Sequence, residues 1–276
     1  MLIITAGILI AAYPWISNYI YEDHVSQVTA MYDKALEDAG SETLTKIRQE
    51  AEKYNASLRD KVSVLHDPFS EDVVNEASQG YEAQLSVNGS PVMGYIEIPK
   101  IGVRLPIYHG TSDTVLQAGC GHLEGTSLPI GGEGAHSVIT GHTGLGGKKL
   151  FTDLELMEEG NLFFVHVLDE TLCYRVSEIN VVLPGEMGTL LIREGEDLCT
   201  LVTCTPYGIN DHRLLVTGER TEYVKGMEST QEKAEDTSKW GSEYSRYVFQ
   251  GMMTAFIMVR AVNFFRKRKD RNKKRK

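Results

Sequence analysis

Between Pro91 and Glu219 the chain is a succession of short apolar or alternating runs, each cut by Gly or Pro: 94–98, 137–140, 161–167, 171–182, 198–204 and 214–219. Runs this short, with turn residues between them, point away from a helical bundle and predict a closed or nearly closed β-barrel; the period alone is also that of a sandwich. At 276 residues, 42% hydrophobic and 24% charged, the chain can bury one good core, although length alone leaves room for two domains.

Upstream the period changes. Leu44, Ile47, Ala51, Tyr54 and Leu58 recur at spacings of three and four, while Glu42, Lys46, Arg48, Glu50 and Lys53 fall mostly elsewhere, which predicts an amphipathic helix. Such a helix needs a surface to lie on. The barrel is the expected one, and a stalk helix with a coiled-coil partner would show the same period.

The ends differ from the body. The net charge of −10 combines +8 between Arg266 and Lys276 with −18 over everything before it. An acidic body argues against nucleic acid as a partner, and a basic tail argues for a membrane surface. Leu2 to Ile20 carries no charged residue, is long enough to cross a bilayer as a helix, and has Trp15, Tyr19 and Tyr21 where an aromatic belt would sit. A cleaved signal peptide is the competing reading, weakened by the length of the run and the absence of a small-x-small cleavage site. A second apolar stretch, 247–265, is interrupted by Arg260 and followed at once by the basic tail; it reads as a second span with the tail in the cytoplasm, or as an amphipathic helix on the membrane surface.

Chemistry concentrates at two places. Leu201-Val202-Thr203-Cys204 ends a strand, Thr205-Pro206-Tyr207-Gly208 turns the chain, and Asp211-His212-Arg213-Leu214-Leu215-Val216 opens the next strand. A thiol nucleophile and a permanent cation then lie on neighbouring strands, the cation able to face the charge that develops when the thiol attacks a carbonyl. Val138-Ile139-Thr140-Gly141-His142-Thr143-Gly144 places an imidazole at the mouth of another strand, as a general acid or base. Cys, His and Arg do not make the papain set, which orients its His with Asn or Asp.

These segments, with Gly94-Tyr95-Ile96-Glu97-Ile98-Pro99-Lys100, Leu105-Pro106-Ile107-Tyr108-His109-Gly110, Gly121-His122-Leu123-Glu124-Gly125-Thr126-Ser127-Leu128-Pro129 and Leu150-Phe151-Thr152-Asp153-Leu154, resemble the sortases, and among them the class C, pilus-assembling branch. The resemblance runs in order from about Gly94 to Arg220. It implies a mainly β fold: an eight-stranded sortase barrel, with N-terminal helices and membrane-anchoring segments at both ends. It also implies a cysteine transpeptidase. Cys204 would cleave an LPXTG-like sorting signal between Thr and Gly and hold the acyl group as a thioester. Arg213 would stabilise the oxyanion, and His142 would serve the leaving and incoming amines. The acceptor would be a lysine amine of a pilin; a wall-anchoring sortase using a peptidoglycan precursor, or a barrel scaffold without activity, are the alternatives. Partners are then pilins or surface proteins with a C-terminal sorting signal, together with the cell membrane of a Gram-positive-type bacterium, the catalytic domain lying outside.

Asp67-Pro68-Phe69 has two readings: the start of a helix, with Asp67 as N-cap and Pro68 in the first turn, or, by the resemblance, a lid over the site. The expected order is a membrane segment at 1–21, a helical region at 22–90 with the lid at about 66–70, the barrel at 91–222, a linker at 223–246, a second membrane segment at 247–265 and a cytoplasmic tail at 266–276. Cys120, Cys173 and Cys199 read as small core residues. Disulfides are not expected, because no spacing forms a framework and Cys199, five positions before Cys204 on one strand, faces the other side. No pair of histidines has the spacing of a helical zinc site and none teams with a cysteine at ligand spacing, so neither metal nor cofactor is expected. His122 reads as a loop brace and His212 as a neighbour of Arg213.

Overall fold

The computed structural model describes residues 2–59, 65–70, 79–145, 147–230 and part of 246–260. The chain divides into two units, Ala12–Ala234 and the ends Met1–Ala11 with Glu235–Lys276. In the first unit eight strands close a barrel: β1 (Val92–Ile98), β2 (Val103–His109), β3 (Cys120–His122), β4 (Ala135–Thr140), β5 (Leu162–Val167), β6 (Glu170–Val182), β7 (Asp197–Thr205) and β8 (His212–Thr221), in the order β1-β2-β3-β4-β7-β8-β6-β5. Closure removes the exposed edges and decides against the sandwich. The β2–β3 and β4–β7 pairs are parallel, and the rest are antiparallel.

All six runs read from the sequence are strands. Two further strands, β2 and β3, did not stand out as runs. Pro106 interrupts β2, and a proline cannot donate to a ladder. It is tolerated because the pairing with β3 begins one residue later, at Ile107 opposite Cys120. β3 has only three residues, too few for a period.

Alternation sorts the side chains of β4, β7 and β8. Ile139, Cys199, Leu201, Leu214 and Val216 join the main core, whereas Val138, Val202 and Leu215 belong to a separate apolar cluster on the outer face. All four cysteines are buried and free.

Four helices accompany the barrel: α1 (Leu2–Ala39), α2 (Ser41–Arg59), α3 (Gln79–Glu82) and α4 (Asp113–Ala118). Gly40, at φ 72°, separates the first two in a left-handed conformation that suits glycine. The expected face of α2 lies on the barrel: Leu44, Ala51 and Leu58 are buried, and Ile47 and Tyr54 pack at the margin of the core. Asn55, which the apolar period does not include, is buried beside them. Its amide donates to the Leu128 carbonyl at 3.2 Å and accepts from the Leu128 N–H at 2.7 Å. On α1, Tyr21, Val25 and Tyr32 are buried; the Tyr32 hydroxyl donates to the Met93 carbonyl at 3.0 Å and accepts from the Leu168 N–H at 2.9 Å. After β8, Tyr223 and Met227 pack on Leu162, Phe164 and Cys173.

In the second unit, residues 248–255 are helical. Among the described residues no helix is long and apolar enough to cross a membrane. The tail at 266–276 lies outside the described residues, as do residues 231–245 of the expected linker.

Asn55→Ala leaves the Leu128 N–H buried without its partner, while the Leu128 carbonyl keeps the Ile130 N–H at 2.8 Å, at a cost of about 2 kcal/mol. Thermal denaturation should show a midpoint lower by about 4–8 °C. Glu52→Ala, on the exposed side of the same helix, should leave it nearly unchanged.

Candidate active site

The register of the sheet assembles the site. Cys204 on β7 lies directly opposite Arg213 on β8, and Thr205 opposite His212. On the other side of β7, parallel pairing with β4 runs up to Thr140 opposite Val202, so the chain leaving β4 delivers His142 beside the end of β7. Gly141 is clamped there: its N–H donates to the Val202 carbonyl at 3.0 Å, and the Thr203 hydroxyl donates to its carbonyl at 2.7 Å. A side chain at 141 would meet the Phe151 ring at 2.8 Å, which explains the glycine. The Phe151 N–H in turn donates to the His142 carbonyl at 3.0 Å.

Arg213 is nearly buried, and its nitrogens are divided between two sets of partners. Nη1 donates to the carbonyls of Asn210 and His212 at 3.1 and 3.0 Å. Nε and Nη2 donate to the two carboxylate oxygens of Asp67 at 2.8 and 2.7 Å, a bidentate pair. Asp67 Oδ1 also accepts from the Phe69 N–H at 3.4 Å, so the carboxylate serves its own turn as well as Arg213. The Asp67 carbonyl accepts from the Ser70 N–H at 3.1 Å and closes a turn, with Pro68 and Phe69 at the centre. Residues 71–78, where a helix would follow, lie outside the described residues.

The turn brings Phe69 between His142 and Arg213. Its ring centroid is 5.6 Å from that of His142 and 5.0 Å from Cζ of Arg213. Leu65 and Phe69 pack on the outer apolar cluster of Leu123, Val138, Met187, Leu190, Val202 and Leu215. Cys204, His142, Arg213, Asp67, Pro68 and Phe69 thus share one region.

Burial sets the charge states. It pushes the Cys204 thiol up to about 11, with the Arg213 guanidinium pulling the other way and the Asp67 carboxylate adding to the rise. It also holds His142 below its usual range, opposed by the Asp113 carboxylate, whose Oδ1 is 3.7 Å from Nε2. At neutral pH the covered site holds a neutral thiol and a neutral imidazole. Nothing in the sequence distinguishes Asp113 from an ordinary acid in a helix's first turn.

His122 and His212 are placed differently. His122 is fully buried, its Nε2 donating to the Ser127 carbonyl and its Nδ1 meeting the Tyr81 hydroxyl, both at 2.8 Å. His212 contacts Asp211 at the surface. Among the described residues no three His, Cys, Asp or Glu side chains gather as metal ligands.

Known proteins match this fold and site. Residues 96–221 match the Sortase domain family. The crystal structure of sortase C-1 from Actinomyces oris is 47% identical, with a TM-score of 0.63, covering 66% of this chain and 100% of that one. The pilus-related sortase C of Group B Streptococcus is 40% identical, with a TM-score of 0.64, covering 71% of this chain and 97% of that one. Sortase A of Streptococcus agalactiae is 32% identical over 45% of this chain, and the chain spans about half of that relative, 51% of its length. The chain belongs to the sortase family of cysteine transpeptidases.

The thiolate is the form that alkylating reagents attack, so with a pKa of about 11 roughly one Cys204 in a few thousand reacts at any instant near pH 7.5. Iodoacetamide labelling of Cys204 should be slow there and climb up to about pH 11. Asp67→Asn removes a carboxylate that raises the thiol, so the midpoint should move down and labelling at pH 8 should accelerate. An unmoved midpoint would show that the Asp67 charge does not reach the thiol.

Proposed function

We propose that this sortase is membrane-anchored and of the pilus-assembling type, cleaving an LPXTG-like sorting signal between Thr and Gly and joining the acyl group to a lysine amine of a pilin. The observation that carries this reading is the Cys204–Arg213 cross-strand pair with His142 alongside, Asp67 bound to Arg213 and Phe69 against His142 and Arg213. Likeness to sortase C structures, one of them described as pilus-related, supports the pilin acceptor.

In this mechanism the Cys204 thiol gives its proton to His142 as the sulfur attacks the threonyl carbonyl carbon, and the oxyanion is received by the Nε/Nη2 edge of Arg213 that Asp67 occupies in the covered form. The bonds from Nη1 to Asn210 and His212 do not involve Asp67, so the guanidinium keeps its orientation when the carboxylate leaves. The C–N bond breaks as His142 protonates the departing glycyl amine, leaving a thioester on Cys204. The lysine amine then attacks the thioester, gives a proton to His142, and the C–S bond breaks to release the isopeptide product and the thiolate.

The anchoring reading draws on exposed apolar side chains in two places. One is the stretch from Tyr13 to Ile20, with Trp15, Ile16 and Tyr19; the other holds Phe249, Met252, Met253 and Ile257. With the basic tail after Phe265 the orientation places both ends on the cytoplasmic side. Protease added to wall-stripped cells should digest the barrel and spare the tail; loss of a C-terminal tag from outside would contradict this topology.

Cys204→Ala should abolish thioacyl formation on a sorting-signal peptide, and His142→Ala and Arg213→Ala should each reduce turnover at least about 100-fold. All three should keep the circular dichroism of the parent. Retained thioacyl formation in Cys204→Ala would refute the assignment.

If Asp67 and Phe69 close the site, replacing both by Ala removes a tethered competitor. An opening cost of about 1.4 kcal/mol corresponds to a tenfold gain in kcat/KM on free peptide. Unchanged cleavage and labelling together with lower stability would reduce the segment to a structural turn.

A further inference from the structure

The outer face of β4, β7 and β8 is layered. Register and alternation place Cys204 and Arg213 in one layer, Val202 and Leu215 with Thr140 in the next, and Thr200 and Thr217 with Val138 in the third; His136, opposite Leu198, reaches the third layer with its ring. The first layer carries the chemistry and the second holds Val202 and Leu215 of the outer apolar cluster. The hydroxyls of the third are buried: His136 and Thr200 are fully inaccessible and Thr217 nearly so.

A single chain of hydrogen bonds runs through this third layer and out of the sheet. His136 Nδ1 is 3.0 Å from the carbonyl of Leu191, Nε2 is 2.7 Å from the Thr200 hydroxyl, and that hydroxyl is 2.8 Å from the Thr217 hydroxyl. A carbonyl only accepts, so Nδ1 carries the hydrogen. Burial favours the neutral ring, whose Nε2 then accepts from Thr200, and Thr200 accepts from Thr217. Every donor and acceptor in the series is used once, in one direction.

Leu191 belongs to the connection between β6 and β7. Just before it, Met187 and Leu190 are buried in the apolar cluster on which Leu65 and Phe69 sit. Two residues further on, Arg193 pairs with Glu178 at 2.6 and 3.2 Å, and with Glu196 at 3.6 Å. The ion pairs are partly solvated and worth little. The bond from His136 is the attachment between this connection and the buried floor nearest to Leu190.

Resting on the proposed function, we infer that His136 is a positioning residue for the sorting signal: through Leu191 it fixes Leu190 and Met187, which form the wall of the apolar subsite next to Cys204. The layers are two residues apart, about 6.6 Å each, so Cys204 lies about 13 Å from the Thr200 layer. An extended acyl segment of about four residues spans that distance. His136 therefore acts where the apolar residue farthest from the scissile bond is held. It touches neither the reacting atoms nor the peptide.

The two nitrogens permit a test that a merely structural histidine would fail. Asn can reproduce the Nδ1 donor to Leu191, and Gln the Nε2 contact to Thr200. With a sorting-signal peptide whose first residue is Leu, His136→Gln should raise KM about fivefold, the worth of one net hydrogen bond, and leave kcat within about twofold. His136→Asn should keep KM within about twofold of the parent. The preference for Leu over Ala at that first position should fall in the Gln variant and persist in the Asn variant. Equal KM values in both variants, or a loss confined to kcat, would overturn the inference. If neither variant folds, Thr200→Val and Leu190→Ala give the same separation: the first breaks the chain beyond the attachment and should change KM less than the second, and the reverse order refutes the role. A parent enzyme that fails to cleave the peptide at all would count against the proposed function, not against His136 alone.

Discussion

The pairing of β7 with both β4 and β8 is the constraint on which the rest depends. Side chains alternate along a strand, so slipping β7 by one residue against its neighbours would turn Cys204 into the barrel and bring Thr203 or Thr205 to the outer face. The slip is opposed by the core: Cys199 and Leu201 would leave an interior they share with Ile139 and Val216. Cys204 is thus oriented by apolar residues inside the barrel. Parallel pairing with β4 adds the second coordinate, since it carries Gly141 to the Val202 carbonyl and leaves His142 next in the chain.

The Asp67–Arg213 pair is a weaker element than its geometry suggests. The two side chains keep only 12% and 8% of their exposure, so both charges have given up most of their hydration to meet. Attraction at these distances is largely offset by that loss, and such pairs add little net stability compared with an apolar contact of the same size. The pair instead fixes position: two parallel bonds from the Nε/Nη2 edge hold the Asp67 carboxylate in one orientation. A contact that is well defined in geometry and nearly neutral in energy is compatible with the removable cover proposed above.

Much of this was legible in the sequence, and the failures have physical causes. The six longer strands announce themselves by alternation between Gly and Pro, and the α2 face by a 3.6-residue period. β2 was hidden because Pro106 breaks the strand pattern, although the ladder to β3 starts only after it. Asn55 was invisible because a buried amide within a helix has no period; its reason for being there, both polar groups of Leu128, lies 73 residues away. Cys204, His142 and Arg213 were legible because each sits at a strand end beside turn residues. Asp113, approaching His142 from α4, was not, since a contact between separate elements leaves no local mark. The bidentate contact of Asp67 with Arg213 was not legible either, since the two residues lie 146 positions apart.

On the proposed lid reading, covering the site and silencing its chemistry are one physical event. Burial is the largest influence on both reactive groups, and it acts on them in opposite directions, raising the thiol and lowering the imidazole. Each shift disfavours the charged form in a low-dielectric setting. On that reading, withdrawal of Phe69 and Asp67 would admit water to both groups, remove the carboxylate that raises Cys204, and leave the Arg213 charge unopposed beside the sulfur. The two pKa values would then move toward each other without any change in the register that holds Cys204, Arg213 and His142. Access and reactivity would be coupled through solvation, and the strands themselves need not move.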